Sequence, residues 1–364
     1  MNRPVLRLLA DDLTGALDTA AEFAALCGPV HVRWSPLPSL SGSAAFSSAT
    51  REASRSAACT AMQVFSPLLM GADIAYRKLD SLLRGHIAAE LAACWGSGAW
   101  RYCVLAPAFP AQGRIARHGA VLARQADGGL APIAMPDWAA EGLHIHHGDP
   151  RQDLHEGITW FDAETDADLT QIVALGRRAK GPILWAGSGG LARALVGAAR
   201  TGFDTKLAAP VLGLFGSDQD VTARQLAACG SIWLRIRDAQ EAPRVAQHLA
   251  NGAALVSLDL PAATPRAIAA ARIADTFAGL LRALPRPGKL IVAGGETLRA
   301  VCDALGAQGL LANGLVMPGV PRSLLQGGAW DGLPIISKSG AFGQESLWRD
   351  LLAANTLPRG SFGA

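Results

Sequence analysis

Half of the 364 residues are hydrophobic and 17% are charged, a composition that can bury a sizeable core in a chain long enough for two or three domains. The 33 basic and 30 acidic side chains leave a net charge of +3, which gives no electrostatic ground for a nucleic-acid partner. No run approaches the roughly 18 apolar residues of a membrane span, and the opening segment, broken by Arg7, is too short for a secretion signal, so no membrane partner and a cytoplasmic location are expected.

In chain order, an apolar run over 5–10 leads through Asp11-Asp12-Leu13-Thr14-Gly15 into a helical pattern over 16–26. Strands are expected at 30–34 and 44–47, then a helix over 53–69. A strand at 74–77 precedes helical spacing over 87–94, and a strand at 102–106 runs into Pro107-Ala108-Phe109-Pro110. From 128 to 151 the Gly-, His- and Pro-rich sequence reads as a long loop. Order returns with a strand at 157–161, a helix over 166–179 and a strand at 182–186 that ends in Gly187-Ser188-Gly189-Gly190. The segment 198–210 is the best linker, and strands at 211–215, 231–236, 254–258, 290–293 and 333–337 form a second series. Strands alternating with helices mean β-α units, hence two α/β domains with largely parallel sheets, over 1–205 and 206–364.

Ligands of such sheets bind beyond the carboxyl ends of the strands, so the strand-to-helix turns hold the candidates. Asp11 and Asp12 precede a helix start that needs only one capping carboxylate, which makes the second a functional candidate. Arg77, Lys78, Asp80, Ser81 and Arg84 gather cations, a carboxylate and a hydroxyl between a strand and a helix. Cations there oppose the helix dipole and make better sense with an anion present. Residues 107–114 add a third polar loop that ends in Gly113-Arg114, where Arg114 is equally well read as a surface residue.

The second half offers Gly216-Ser217-Asp218, Gly294-Gly295-Glu296-Thr297 and Ser337-Lys338-Ser339-Gly340. Glycines after strands let backbone N–H groups approach a phosphate, although tight turns want glycine in any case. Neither the P-loop nor the dinucleotide fingerprint occurs, which counts against an NAD-dependent oxidoreductase. The six cysteines have no metal-like spacing and read as reduced, mostly buried thiols. His144, His146, His147 and His155 read as a solvated loop, and no metal site is expected.

Taken in order, these motifs resemble the four-carbon acid sugar kinase family over most of the chain. Residues 10–18 are similar to its A-D-D-[FL]-T-G-A-x-D start, 78–85 to K-[IL]-D-S-x-x-R-G and 107–114 to P-A-F-P-x-x-G-R. Further on, Gly216-Ser217 with 221–225, then 293–297, 318–321 and 338–343, match G-S-x-x-x-V-T-x-x-Q, A-G-G-[DE]-T, P-G-V-P and K-S-G-x-F-G. The resemblance implies an N-terminal sugar-acid domain, a C-terminal ATP domain and a reaction in the cleft between them. It carries substrate contacts onto Asp11, Asp12, Lys78, Asp80, Ser81 and Arg84, and nucleotide contacts onto Ser217, Gly294, Gly295, Glu296, Thr297 and Gly340. The expected reaction is transfer of phosphate from ATP, with Mg²⁺, to a hydroxyl of a threonate- or erythronate-like acid. Asp12 is the first choice for the base and Asp11 the second. A regulator that binds sugar acid or nucleotide without turnover is the alternative, supported by Asp218-Gln219 where the family has a small pair. The sequence leaves the oligomeric state open.

Overall fold

A computed structural model describes residues 3–36, 41–125, 127–199, 202–261 and 263–355. The chain divides into two compact units, Met1–Thr201 and Gly202–Ala364. The expected linker at 198–210 includes residues 200 and 201, which lie outside the described residues.

The first unit begins with β1 (Leu6–Ala10), α1 (Leu13–Cys27), β2 (Val30–Arg33), β3 (Ala44–Ser47), α2 (Arg55–Phe65), β4 (Ile74–Lys78), α3 (Ile87–Ser97) and β5 (Tyr102–Ala106). It continues through β6 (Arg114–Arg117), β7 (Ala120–Arg124), β8 (Leu130–Pro132), β9 (Ile145–His147), β10 (Gly157–Trp160), α4 (Asp166–Arg178), β11 (Ile183–Gly187) and α5 (Gly189–Val196). Its main sheet has the order β2-β3-β1-β4-β11-β5-β10-β9, and every pairing in it is parallel. Parallel strands covered on both faces read as continuous apolar runs, and β5 is buried at all its positions. The ring of Phe23 on α1 meets Tyr76 of β4 edge-on at 5.4 Å, and the Tyr76 hydroxyl donates to the Ser188 carbonyl at 2.5 Å. Helix α1 and the turn after β11 are thereby fixed to the same central strand.

Two expectations for this unit need correction. Pro67 cannot continue an α-helix, so the helix expected over 53–69 stops at Phe65 and passes into a 3₁₀ turn, Ser66–Leu69. The region read as a loop from 128 carries β8 and β9, and β6, β7 and β8 form a separate antiparallel sheet. Strands of three to five residues in Gly-rich sequence give too little alternation to be recognised.

The second unit contains β12 (Val211–Phe215), α6 (Asp220–Ala227), β13 (Trp233–Ile236), α7 (Ala242–Ala250), β14 (Ala253–Leu258), α8 (Arg266–Ala283), β15 (Lys289–Ala293) and α9 (Gly295–Ala304). A hairpin of β16 (Gly309–Met317) and β17 (Val320–Gln326), then β18 (Pro334–Lys338) and α10 (Leu347–Ala354), complete it. Its order is β13-β14-β12-β15-β18-β17-β16, parallel through β18 and antiparallel across β18, β17 and β16. Trp348 of α10 packs edge-on against Phe215 of β12 at 5.8 Å inside the core. All six cysteines are free thiols, five of them buried. No described helix is long and apolar enough to cross a membrane.

Candidate active site

In the first unit, Ser47 pairs with Ala10, Arg77 with Leu9, and Gly187 with both Lys78 and Ala106. The carboxyl ends of β3, β1, β4, β11 and β5 therefore stand side by side, and the loops that follow them open on one sheet edge.

Asp11 and Asp12 follow β1 and do different work. Asp11 is fully buried, and its two oxygens accept from Nε and Nη2 of Arg51 at 2.9 and 2.8 Å. Asp12 caps α1. Its Oδ1 accepts from the Gly15 N–H at 2.9 Å and from Arg51 Nη2 at 2.8 Å, and its Oδ2 accepts from the Thr14 hydroxyl at 2.5 Å. A cap of this kind stabilises a helix by about 0.5–2 kcal/mol. The repulsion between adjacent carboxylates is cancelled by Arg51, from the loop after β3, which the sequence reading passed over. The backbone N–H groups of Thr50 and Arg51 donate to the Asp11 carbonyl at 2.9 and 3.3 Å and so fix the root of that side chain. Burial alone would lower the Arg51 pKa, but Asp11 and Asp12 outweigh it and keep the guanidinium charged.

The cations of residues 77–84 go to separate destinations. Arg77 is buried, pairs with Glu90 and donates to the Leu9 carbonyl at 3.0 Å. Arg84 lays Nε and Nη2 on Asp80 at 2.9 and 2.7 Å, and Arg51 approaches Asp80 at 3.4 Å. Burial would raise the Asp80 carboxyl, but Arg84, Arg51 and Lys78 hold it well below the ordinary carboxylate range. The inference that these cations await an external anion thus fails for Arg77 and is weakened for Arg84, since the protein supplies their counter-ions. It survives for Lys78. That ammonium is buried, donates to the Leu79 carbonyl at 3.0 Å, and has no carboxylate within ion-pair distance among the described residues. It lies over Gly15, where a Cβ would come within 3.3 Å of Nζ and 2.5 Å of Asp12 Oδ1.

Asp18, one turn further along α1, is the carboxylate that the motif contained and the sequence reading gave no role. Burial raises its pKa from 3.8 to about 6, Lys78 opposes that rise, and no arginine contacts it among the described residues. Among the described residues its one hydrogen bond is from the Thr19 hydroxyl at 2.8 Å. Ser81 sits half-buried in the turn before Arg84.

In the second unit β12, β15 and β18 are parallel neighbours, and their three loops converge. A Cβ on Gly340 would fall on the Ser217 hydroxyl, and one on Gly216 would fall on the Thr297 hydroxyl. Thr222 donates to the Gly340 carbonyl at 2.8 Å, and Gln225 Nε2 donates to the Phe342 and Gln344 carbonyls at 3.1 and 2.9 Å. The V-T-x-x-Q residues thus fasten the last loop to α6. Gly294 precedes the first turn of α9 with no side-chain cap, so backbone donors there remain for a ligand. Burial lowers the Lys338 pKa to about 7, and its amine donates to the Ser339 and Gly340 carbonyls at 2.9 and 3.0 Å. Ser217, Gly294, Thr297 and Gly340 come together. Glu296 instead faces outward, in an exposed pair with Arg266 at 3.0 Å. Of the P-G-V-P residues, Pro318 and Gly319 form the turn between β16 and β17, with Gly319 against the ring of Phe342, and Val320 and Pro321 open β17.

Residues 6–144 match the model of a sugar-binding N-terminal domain, and residues 212–347 that of a nucleotide-binding C-terminal domain. A D-threonate kinase of Cupriavidus necator is 31% identical, over 94% of this chain and 96% of the relative. A D-threonate kinase of Bordetella bronchiseptica is 29% identical over 95% and 96%. In fold, the chain resembles solved structures of a Salmonella typhimurium protein (TM-score 0.72, 20% identity, 96% of this chain and 98% of that one) and a Haemophilus influenzae protein (TM-score 0.70, 20% identity, 96% and 100%). Domain content and near full-length similarity agree with the motifs, and the chain belongs to the four-carbon acid sugar kinase family.

Proposed function

We propose that this protein is an ATP-dependent kinase that phosphorylates a hydroxyl of a four-carbon sugar acid of the threonate or erythronate type. Phosphoryl transfer asks a protein for positioning, charge neutralisation and an acceptor for the hydroxyl proton, with little covalent work. The observation that carries the reading is Lys78, a buried ammonium with no carboxylate partner among the described residues, which lies with Asp12 against the bare backbone of Gly15. A hydroxy acid brings the two groups such a pair recognises, an anion and a hydroxyl. The acid is assigned to the first unit, where Lys78, Ser81 and the Asp80–Arg84 pair would hold it. Ser217, Gly294, Gly295, Thr297 and Gly340 would cradle the nucleotide phosphates, with Glu296 at the margin. Mg²⁺ arrives with ATP as part of that substrate, bound through phosphate oxygens and water.

Asp12 is the proposed proton acceptor, because its Oδ2 carries one hydrogen bond whereas Asp11 is sealed against Arg51. A second reading gives the proton to Asp18, favoured by its pKa of about 6 and by having no hydrogen bond from an arginine among the described residues. The test is acid-dependent ADP release from MgATP across a panel of four-carbon acids. Turnover with at least one of them is expected. Binding of acid and ATP with no turnover would instead fit a regulator built on the same domains.

A further inference from the structure

Arg114 stands at the start of β6, behind the loop after β5. That loop is closed by mutual backbone hydrogen bonds, Phe109 N–H to the Arg114 carbonyl at 2.7 Å and Arg114 N–H to the Phe109 carbonyl at 3.1 Å. It is fastened to the turn after β11 by the Ser188 hydroxyl, which donates to the Ala108 carbonyl at 2.7 Å. The root of Arg114 is therefore rigid. Its Nη1 donates to the backbone carbonyl of Gln112 at 2.7 Å and to Gln112 Oε1 at 2.9 Å. Both Nη1 protons are then used, and the guanidinium plane is held by neutral acceptors alone.

The opposite edge, Nε with Nη2, has no partner among the described residues, and neither atom is sealed from solvent. This is the edge that Arg51 places on Asp11 and Arg84 places on Asp80. Of Arg51, Arg84 and Arg114, the first two have their forks filled by carboxylates of the protein, and the last has its fork open. Arg114 lies within electrostatic reach of Asp80 and Arg84, near the same cluster, and burial lowers its pKa. A planar fork held open, half-buried and without a counter-ion is matched to an external carboxylate, which it takes through two parallel hydrogen bonds.

We infer that Arg114 binds the carboxylate of the sugar acid through its Nε–Nη2 edge and so selects acids over neutral polyols. The inference rests on the proposed function and deepens it: Arg114 takes the carboxylate, which leaves Lys78 and Asp12 for the hydroxyl end. The test is calorimetry of D-threonate and of threitol, its polyol counterpart, with the full chain and without nucleotide. The proteins are the parent, Arg114→Gln and Arg114→Lys, with thermal unfolding recorded for each. A charge-assisted pair is worth about 1.5–3 kcal/mol, so Arg114→Gln should weaken D-threonate binding about 10- to 150-fold. Arg114→Lys should recover part of that loss, since it keeps the charge and loses the fork. Weak threitol binding should change less than about 2-fold, a split that general damage to the loop would not produce. Equal weakening for acid and polyol, or unchanged D-threonate binding in Arg114→Gln, overturns the inference and leaves the kinase assignment standing. Failure of the parent to bind any four-carbon acid overturns both.

Discussion

The two loop clusters are built in opposite ways. In the first unit, the strand ends carry charged side chains that neutralise one another: Arg51 with Asp11 and Asp12, Arg84 with Asp80. In the second, the strand ends carry glycines, hydroxyls and backbone donors, and Lys338 is held by carbonyls. A small polar acid presents few atoms, so its recognition must come from charges fixed at defined points. A phosphate chain can be gripped by main-chain N–H groups wherever backbone comes close. Hence the first cluster should be sensitive to loss of side chains and the second to their gain.

The largest effect is expected at Asp12. Asp12→Asn keeps an amide oxygen able to cap Gly15 but cannot take a proton, so kcat should fall by about 10²–10⁴ in a protein that still folds. Normal kcat in a folded Asp12→Asn protein would move the role to Asp18. Next is Arg51→Met, which leaves Asp11 buried without its partner. Breaking a buried pair in this way costs about 3–5 kcal/mol, to be read from the urea unfolding midpoint. For the second unit, Gly340→Val would press on Ser217 and should cost ~1–3 kcal/mol of ATP binding while acid binding is unchanged. Equal loss of both ligands would erase the contrast between the clusters.

The smallest effect has the opposite sign. Asp18 holds its proton to about pH 6 when folded and releases it near its ordinary value of 3.8 when unfolded. Because its folded pKa is raised, stability is favoured below pH 3.8 and lost as pH rises through 6. Asp18→Asn should therefore stabilise the fold at pH 7, by roughly 1–2 kcal/mol after allowance for partial exposure, and leave it nearly unchanged at pH 3.5. Unfolding midpoints at the two pH values check the sign. A variant that is stabler yet slower would mark Asp18 as a group kept for function at a cost in stability.

The strand-to-helix alternation and the polar turns were legible in the sequence because each is a local pattern. Arg51 was not, because its pairing with Asp11 spans 40 positions and follows from β3 lying beside β1. Applying the strand-end rule to every strand, including 44–47, would have drawn attention to it. The capping option of Asp12 was likewise legible, but the proton of Asp18 was not, since its pKa is raised by burial that Lys78 only partly offsets. The hairpin of β16 and β17 was missed because P-G-V-P was read for its family likeness, when Pro-Gly is also turn chemistry.

Amide hydrogen exchange with one ligand at a time tests the division of labour between the clusters most directly. D-threonate alone should protect residues 11–15, 48–51, 78–84 and 107–114 and leave the second unit unchanged. MgATP alone should protect 216–219, 294–297 and 338–343. Protection of the first set by ATP, or of the second by the acid, would contradict the assignment of charged side chains to the acid and bare backbone to the nucleotide.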